Sequence, residues 1–258
     1  MKKLLFLIIF FVFFTACFDS GVEYREERSV GIARNRIKSL EIRCVSGDLD
    51  VNSVYGISRI TATAEITINE KDARAKKLIE KNLVLTIKDH GSRAVLTAEL
   101  KNSLILFYKT YKGRMHVNLR VPSGLDIKIV DKKGGIYASN IRNKVTIVDG
   151  EGDIDIENMR GDLEISDKAG EINIENLTGN LRILDIAGKI RIKNATGKIR
   201  IDDRGGDIEL THIRGNIELK DTSGKIFIEN VKGNVEIKES GKGDVLIKNV
   251  TGMVIQKD

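Results

Sequence analysis

From Leu125 onward, apolar and polar residues alternate in short runs, and the runs recur every nine residues. Glycines stand at 152, 161, 170, 179, 188, 197, 206, 215, 224 and 233, and the series resumes at 243 and 252 after one inserted residue in Ser240-Gly241-Lys242. Aliphatic residues follow two and four positions later, as in Gly170-Glu171-Ile172-Asn173-Ile174 and Gly215-Asn216-Ile217-Glu218-Leu219. A period of two predicts strand with one face buried. Without glycine the same frame runs back through Val145/Ile147 and Ile127/Ile129.

The nonapeptides are of two alternating kinds. Six residues after the frame start, one kind carries Asp131, Asp149, Asp167, Asp185, Asp203 and Asp221, then Glu239. The other carries Asn140, Asn158, Asn176, Asn194, His212 and Asn230, then Asn249 past the insertion. The structural unit is therefore eighteen residues: two short strands and two different corners, stacked so that each residue type forms a ladder. Glycine supplies positive φ at tight corners, and Asp or Asn can bond the backbone of the turn. About 130 residues of repeat give roughly seven coils, which at ~4.8 Å per coil make a body on the order of 35 Å long. The predicted fold class is all-β, a parallel β-solenoid over 125–258 with an N-terminal β-rich capping subdomain.

That subdomain, 17–124, is less regular. Alternation predicts strands over Ser39–Val51, Arg59–Ile68, Leu83–Ile87 and Ala94–Leu100, with a helix-like patch at Glu70–Asn82. Its expected role is to cover the first coil, whose edge would otherwise be unpaired.

The first residues change the picture of where the chain works. Lys2 and Lys3 precede an apolar run, Leu4 to Phe14, that is short for a membrane span, and Cys17 follows Phe14-Thr15-Ala16. Residues 1–16 read as an export signal, and Cys17 resembles a lipoprotein processing site, where cleavage before the cysteine precedes acylation of its thiol. The expected location is the cell envelope, anchored to the membrane through lipid at Cys17. Cys44, on the apolar side of its strand, reads as a buried, inert thiol. The formal charge of +6 falls to +4 without Lys2 and Lys3, spread over a chain that is 31% charged. A mixed surface of this kind, on an exported chain, argues against nucleic-acid binding.

The run Val117-Asn-Leu-Arg-Val-Pro-Ser-Gly-Leu-Asp-Ile-Lys-Ile129, followed by tandem Gly-x-Ile-x-Ile-x-Asn/Asp units, resembles a bacterial domain family known as "putative adhesin", related to toast-rack domains. The likeness spans roughly 35–255, including the helix-like insert. It implies the solenoid fold. On activity it implies little beyond a binding role, with envelope-stress systems as a further setting.

Candidate chemistry is sparse. Calcium-binding β-rolls use Gly-Gly-x-Gly-x-Asp units, whereas here each unit has one glycine and an aliphatic residue in place of the second, so no metal and no cofactor is expected. Polysaccharide-cleaving β-helices need paired carboxylates or a base converging in a groove. Here Asp153/Asp155/Glu157 and Glu171/Glu175 precede Lys189/Arg191/Lys193, with Asp207/Glu209 beyond, a sequence of rungs that predicts cross-strand ion pairing. His90, His116 and His212 are scattered, and His212 stands in the Asn ladder. The candidate recognition segment is Leu104 to Arg114, where Phe107, Tyr108 and Tyr111 lie beside Lys109, Lys112 and Arg114. The alternative is a hairpin whose aromatics fill the N-terminal core.

The expected function is a lipid-anchored, non-enzymatic envelope protein acting as a structural or adhesive module toward an envelope or host protein or glycan. Two alternatives stay open: an envelope-stress sensor or scaffold binding a protein partner, and a polysaccharide-acting enzyme.

Overall fold

The computed structural model describes residues 23–44, 47–101, 104–106, 109–111 and 113–257, with backbone alone at 104–106 and 109–111. Among them, two eleven-stranded sheets face each other, and a separate two-stranded ribbon pairs 104–106 with 109–111. In the repeats the chain passes from one sheet to the other every nine residues. Register runs in steps of eighteen: Ile154, Ile172, Ile190, Ile208 and Ile226 are consecutive partners in one sheet, and Leu163, Leu181, Ile199, Ile217 and Val235 in the other. We call these the Asn sheet and the Asp sheet after their corner residues. The solenoid expected from the nonapeptide period is thus the fold observed.

The aliphatic pairs of the inner coils point inward and are buried, forming one core that continues into the N-terminal segment. A coil closes its own inner layer only when its neighbours cover it. The last coil shows the converse: Val245, Ile247 and Val250, with one neighbour only, are half-buried where their equivalents in earlier coils are fully enclosed.

Both sheets run on past Leu125. The Asp-sheet strand Asp126–Asp131 pairs in parallel with Ser39–Cys44, and Ile136–Ser139 of the Asn sheet pairs in parallel with Asp48–Val54. The expected single run Ser39–Val51 is therefore two strands of one coil, parted near Gly47. A Cβ on that glycine would stand 2.0 Å from the carbonyl oxygen of Met115. Antiparallel strands then close the stack: Tyr24–Ala33 on Arg59–Ile68, Arg59–Ile68 on Gly113–Pro122, and Leu83–Asp89 on Arg93–Leu100. Tyr24–Ala33 is an additional strand beyond the four expected runs. The helix forms at Asp72–Asn82, burying Ala75, Leu78 and Ile79. Among the described residues no helix is long and apolar enough to cross a membrane.

The inserted residue enters earlier than the glycine spacing suggests. Leu219 pairs with Ile237, eighteen residues on, but Lys220 pairs with Glu239, nineteen on, so the irregularity lies beside Lys238 and Glu239. Glu239 consequently leaves the aspartate column and sits beside Lys220, with an ion pair of 3.1 Å.

Candidate functional site

The two corners solve the turn differently. Asn140, Asn158, Asn176, Asn194, Asn230 and Asn249 adopt left-handed φ of 53–60°, as does His212 at 58°. Such a residue breaks the strand alternation, so the asparagine points out and the next residue, as at Met159, Leu177 and Val231, points in. The asparagine side chains bond one another across coils: Asn176 Nδ2 donates to Asn158 Oδ1 at 3.1 Å, Asn194 to Asn176 at 3.2 Å, and Asn249 to Asn230 at 3.0 Å. At the first coil Asn140 donates to Asn52 at 3.2 Å.

The aspartates point inward. Asp131, Asp149, Asp167, Asp185, Asp203 and Asp221 are at most 3% exposed. One oxygen of each of five accepts a corner amide: Lys132 N–H at 2.7 Å on Asp131, Lys168 at 2.7 Å on Asp167, Ile186 at 2.7 Å on Asp185, Gly205 at 3.0 Å on Asp203, and Ser223 at 2.9 Å on Asp221. The second oxygen of each of these five has no hydrogen-bond partner among the described residues, and Asp149 is approached by the Gly150 N–H alone. Burial, reinforced for Asp149 and Asp203 by the carboxyls above and below, pushes Asp131 and Asp185 up to about 6 and Asp149 and Asp203 up to about 7. Asp167 and Asp221 are raised by burial too. Desolvation outweighs the amide bonds, so these are structural carboxyls that hold protons well above the usual range, inside the wall and away from any ligand on the outside.

A third set, absent from the expectations, staples coil to coil. The residue after the corner glycine accepts the backbone N–H of its equivalent one coil on: Asp153 from Glu171 at 2.9 Å, Asp162 from Asn180 at 2.9 Å, Asn180 from Lys198 at 3.1 Å, and Asp207 from Lys225 at 3.0 Å. The recurrence of Asp or Asn directly after glycine was the signal available in the sequence.

The outward rungs pair as their charges dictate. Arg191 reaches Glu171 at 2.5 Å, Lys189 reaches Glu209 at 3.1 Å, and Lys193 reaches Glu175 at 3.2 Å. Together these rungs frame a groove of about 350 Å³ that runs across the strands of the Asn sheet. Its floor is backbone at Ile156, Ile174 and Ile192. One wall is the column Asp155, Asn173, Arg191, Glu209, and the other is Glu157, Glu175, Lys193, Thr211. Asn173 Nδ2 donates to Asp155 at 3.0 Å, and Arg191 donates to Asn173 Oδ1 at 3.3 Å. Tyr137 closes one end, its hydroxyl donating to Glu157 at 2.6 Å. A smaller groove of about 180 Å³ on the Asp sheet is lined by Arg182, Arg200, Lys220 and Lys238 with Asp202 and Glu218. Lys238 and Arg200, with Lys198, hold the Glu218 carboxyl down at about 2.

Cys17, Phe107 and Tyr108 lie outside the described residues. Tyr111 ends a short strand whose backbone pairs with Leu104, and Arg114 is exposed opposite Thr67 near the start of Gly113–Pro122. Residues 104–106 and 109–111 are thus antiparallel partners in a two-stranded sheet separate from the sheet that carries the groove. Cys44 is buried, its thiol donating to the Gly47 carbonyl at 3.8 Å. No group of three or more His, Cys, Asp or Glu able to hold a metal ion occurs among the described residues.

Comparison with known proteins places these features in context. A family model described as Toastrack DUF4097 matches residues 6–254. Among solved structures, a "putative adhesin" from Parabacteroides distasonis ATCC 8503 is 15% identical, with 92% of this chain and 98% of that one covered at a TM-score of 0.46. Another from Bacteroides fragilis NCTC 9343 is 16% identical, covering 91% and 97% at 0.45. A "putative lipid binding protein" from Parabacteroides distasonis ATCC 8503 is 17% identical, covering 92% and 98% at 0.39. Comparison with curated proteins finds no match.

Proposed function

The chain belongs to the Toastrack DUF4097 family, and on that premise we propose that it is a lipid-anchored protein of the cell envelope that works as a non-enzymatic adhesive module. The observation that carries this reading is the construction of the outer faces. Carboxylates and cations there engage one another along regular rungs, at 2.5 Å for Glu171–Arg191 and 3.2 Å for Glu175–Lys193, while the aspartates of the inner column are sealed in the wall. Such a surface offers many fixed donors and acceptors, and its carboxylates at Glu171, Glu175 and Glu209 stand in ion pairs with neighbouring cations, an arrangement that suits recognition. Anchoring rests on Cys17 directly after a short apolar run led by Lys2 and Lys3.

The test is made in intact bacterial cells carrying the full chain or Cys17→Ala. The N-terminal peptide is expected to begin at Cys17 with the mass of two or three acyl chains, and the protein to partition into detergent. In-cell crosslinking is expected to join it to an envelope component. An unmodified N-terminus with the chain in the aqueous phase would overturn the anchor, and a chain that crosslinks to nothing would overturn the binding role.

A further inference from the structure

We infer that the groove on the Asn sheet is a binding site for a neutral oligosaccharide, a ligand class that rests on the reading of the chain as a binding module. The groove's volume, about 350 Å³, is in the range of small-ligand sites, which run from ~300 to ~1,000 Å³. It crosses successive coils, so an extended chain can lie along rungs that repeat every ~4.8 Å.

The chemistry of the walls narrows the ligand. A sugar hydroxyl both donates and accepts, and it is best held where donors and acceptors alternate. Along one wall the order is carboxylate, amide, guanidinium, carboxylate (Asp155, Asn173, Arg191, Glu209); the other ends in a hydroxyl at Thr211. Tyr137, 37% exposed at the end of the groove, offers an aromatic face to the C–H side of a pyranose while its hydroxyl stays fixed on Glu157.

Charge argues against the other classes. Four carboxylates line the groove against two cations, so a uronate or phosphate chain would meet a net negative wall. A basic peptide would meet Arg191 and Lys193 in the groove itself, and two of the four carboxylates, Glu175 and Glu209, are already paired with Lys193 and Lys189. The remaining capacity is for neutral hydrogen bonding. The Asp-sheet groove, with four cations, two carboxylates and no aromatic, lacks this balance and serves as the internal control.

The experiment is calorimetric titration of the full chain in detergent with neutral glucan, mannan and chitin hexasaccharides, an oligogalacturonate and an oligolysine. At least one neutral hexasaccharide is expected to bind. Asn173→Ala, Arg191→Ala and Tyr137→Ala should each lower that affinity at least tenfold, Tyr137→Phe should retain most of it, and Arg200→Gln on the opposite sheet should leave it unchanged. All substitutions are outward-facing, and unaltered circular dichroism and melting verify the fold. Neutral binding that is indifferent to the three alanine variants overturns the site, and preference for the oligogalacturonate or the oligolysine overturns the ligand class. If no probe binds, both fail, while the crosslinking result in cells decides the broader binding reading independently.

Discussion

Each aspartate of the column stands two residues after a buried aliphatic, as in Leu163-Glu164-Ile165-Ser166-Asp167, in a strand whose alternation is unbroken, so parity alone turns it inward. In the sister unit the asparagine has the same parity, but its left-handed φ reverses the alternation and turns it out. The ladders were therefore legible as ladders, yet the burial of one was not, because a carboxyl reads as a surface group unless parity is given more weight than polarity. The energetic consequence is a pH dependence opposite to that of most acidic residues. An unfolded aspartate titrates near ~3.9, whereas Asp149 and Asp203 titrate at about 7 in the fold. Between these values these two groups bind more protons in the folded chain than in the unfolded one, so their contribution to stability is fully present below pH ~4, is lost as pH rises toward ~7, and is level above. Asp203→Asn keeps the acceptor for the Gly205 amide and removes the charge. Urea denaturation at pH 8 is expected to show stabilisation on the order of 1–3 kcal/mol, with a smaller difference between pH 5 and pH 8 than in the parent. Equal destabilisation at both pH values would show that the column is not held back by its charge.

At the scale of the coil, stacking distance is set by backbone meeting backbone at the corners. A Cβ on Gly188 would lie 1.6 Å from the Gly170 carbonyl oxygen, at a φ of +149° that side chains rarely adopt. Gly188→Ala must therefore spread the coils locally, and is expected to cost about 3 kcal/mol or more, read as a lower urea midpoint. A midpoint within error of the parent would mean that the corners carry more slack than the geometry allows. The nine-residue period revealed these coils because it repeats without interruption over most of 125–237. The cap was legible only as pieces. Strand runs such as Arg59–Ile68 show in their alternation, but Asp48–Val54 belongs to the solenoid through pairings with Ile136–Ser139 and Gly113–Pro122, which lie far away in sequence and share no repeat. The bulge beside Glu239 was misplaced for a related reason, since glycine spacing marks corners and does not show where within a strand the extra residue is absorbed.

At the scale of the molecule, one end of the stack is closed by antiparallel strands and the helix, and the sides carry long, compensated ladders. Recognition was expected at Phe107, Tyr108, Tyr111 and Arg114, where aromatic density is highest. The groove was not foreseen, because its residues are ordinary surface types whose meaning comes only from register: Asp155, Asn173, Arg191 and Glu209 are eighteen residues apart and become one wall when the coils stack. We infer that this wall binds without turning over. This is tested most directly by following an isotope-labelled sample of the full chain by nuclear magnetic resonance during titration with the neutral hexasaccharide that binds. Shifts are expected to be confined to the groove, at Tyr137, Asp155, Asn173, Glu175, Arg191 and Glu209, with the anomeric signals of the sugar unchanged over days. Shifts centred on the Leu104–Arg114 hairpin or the Asp sheet, or new reducing-end signals that disappear in Glu157→Gln, would contradict it.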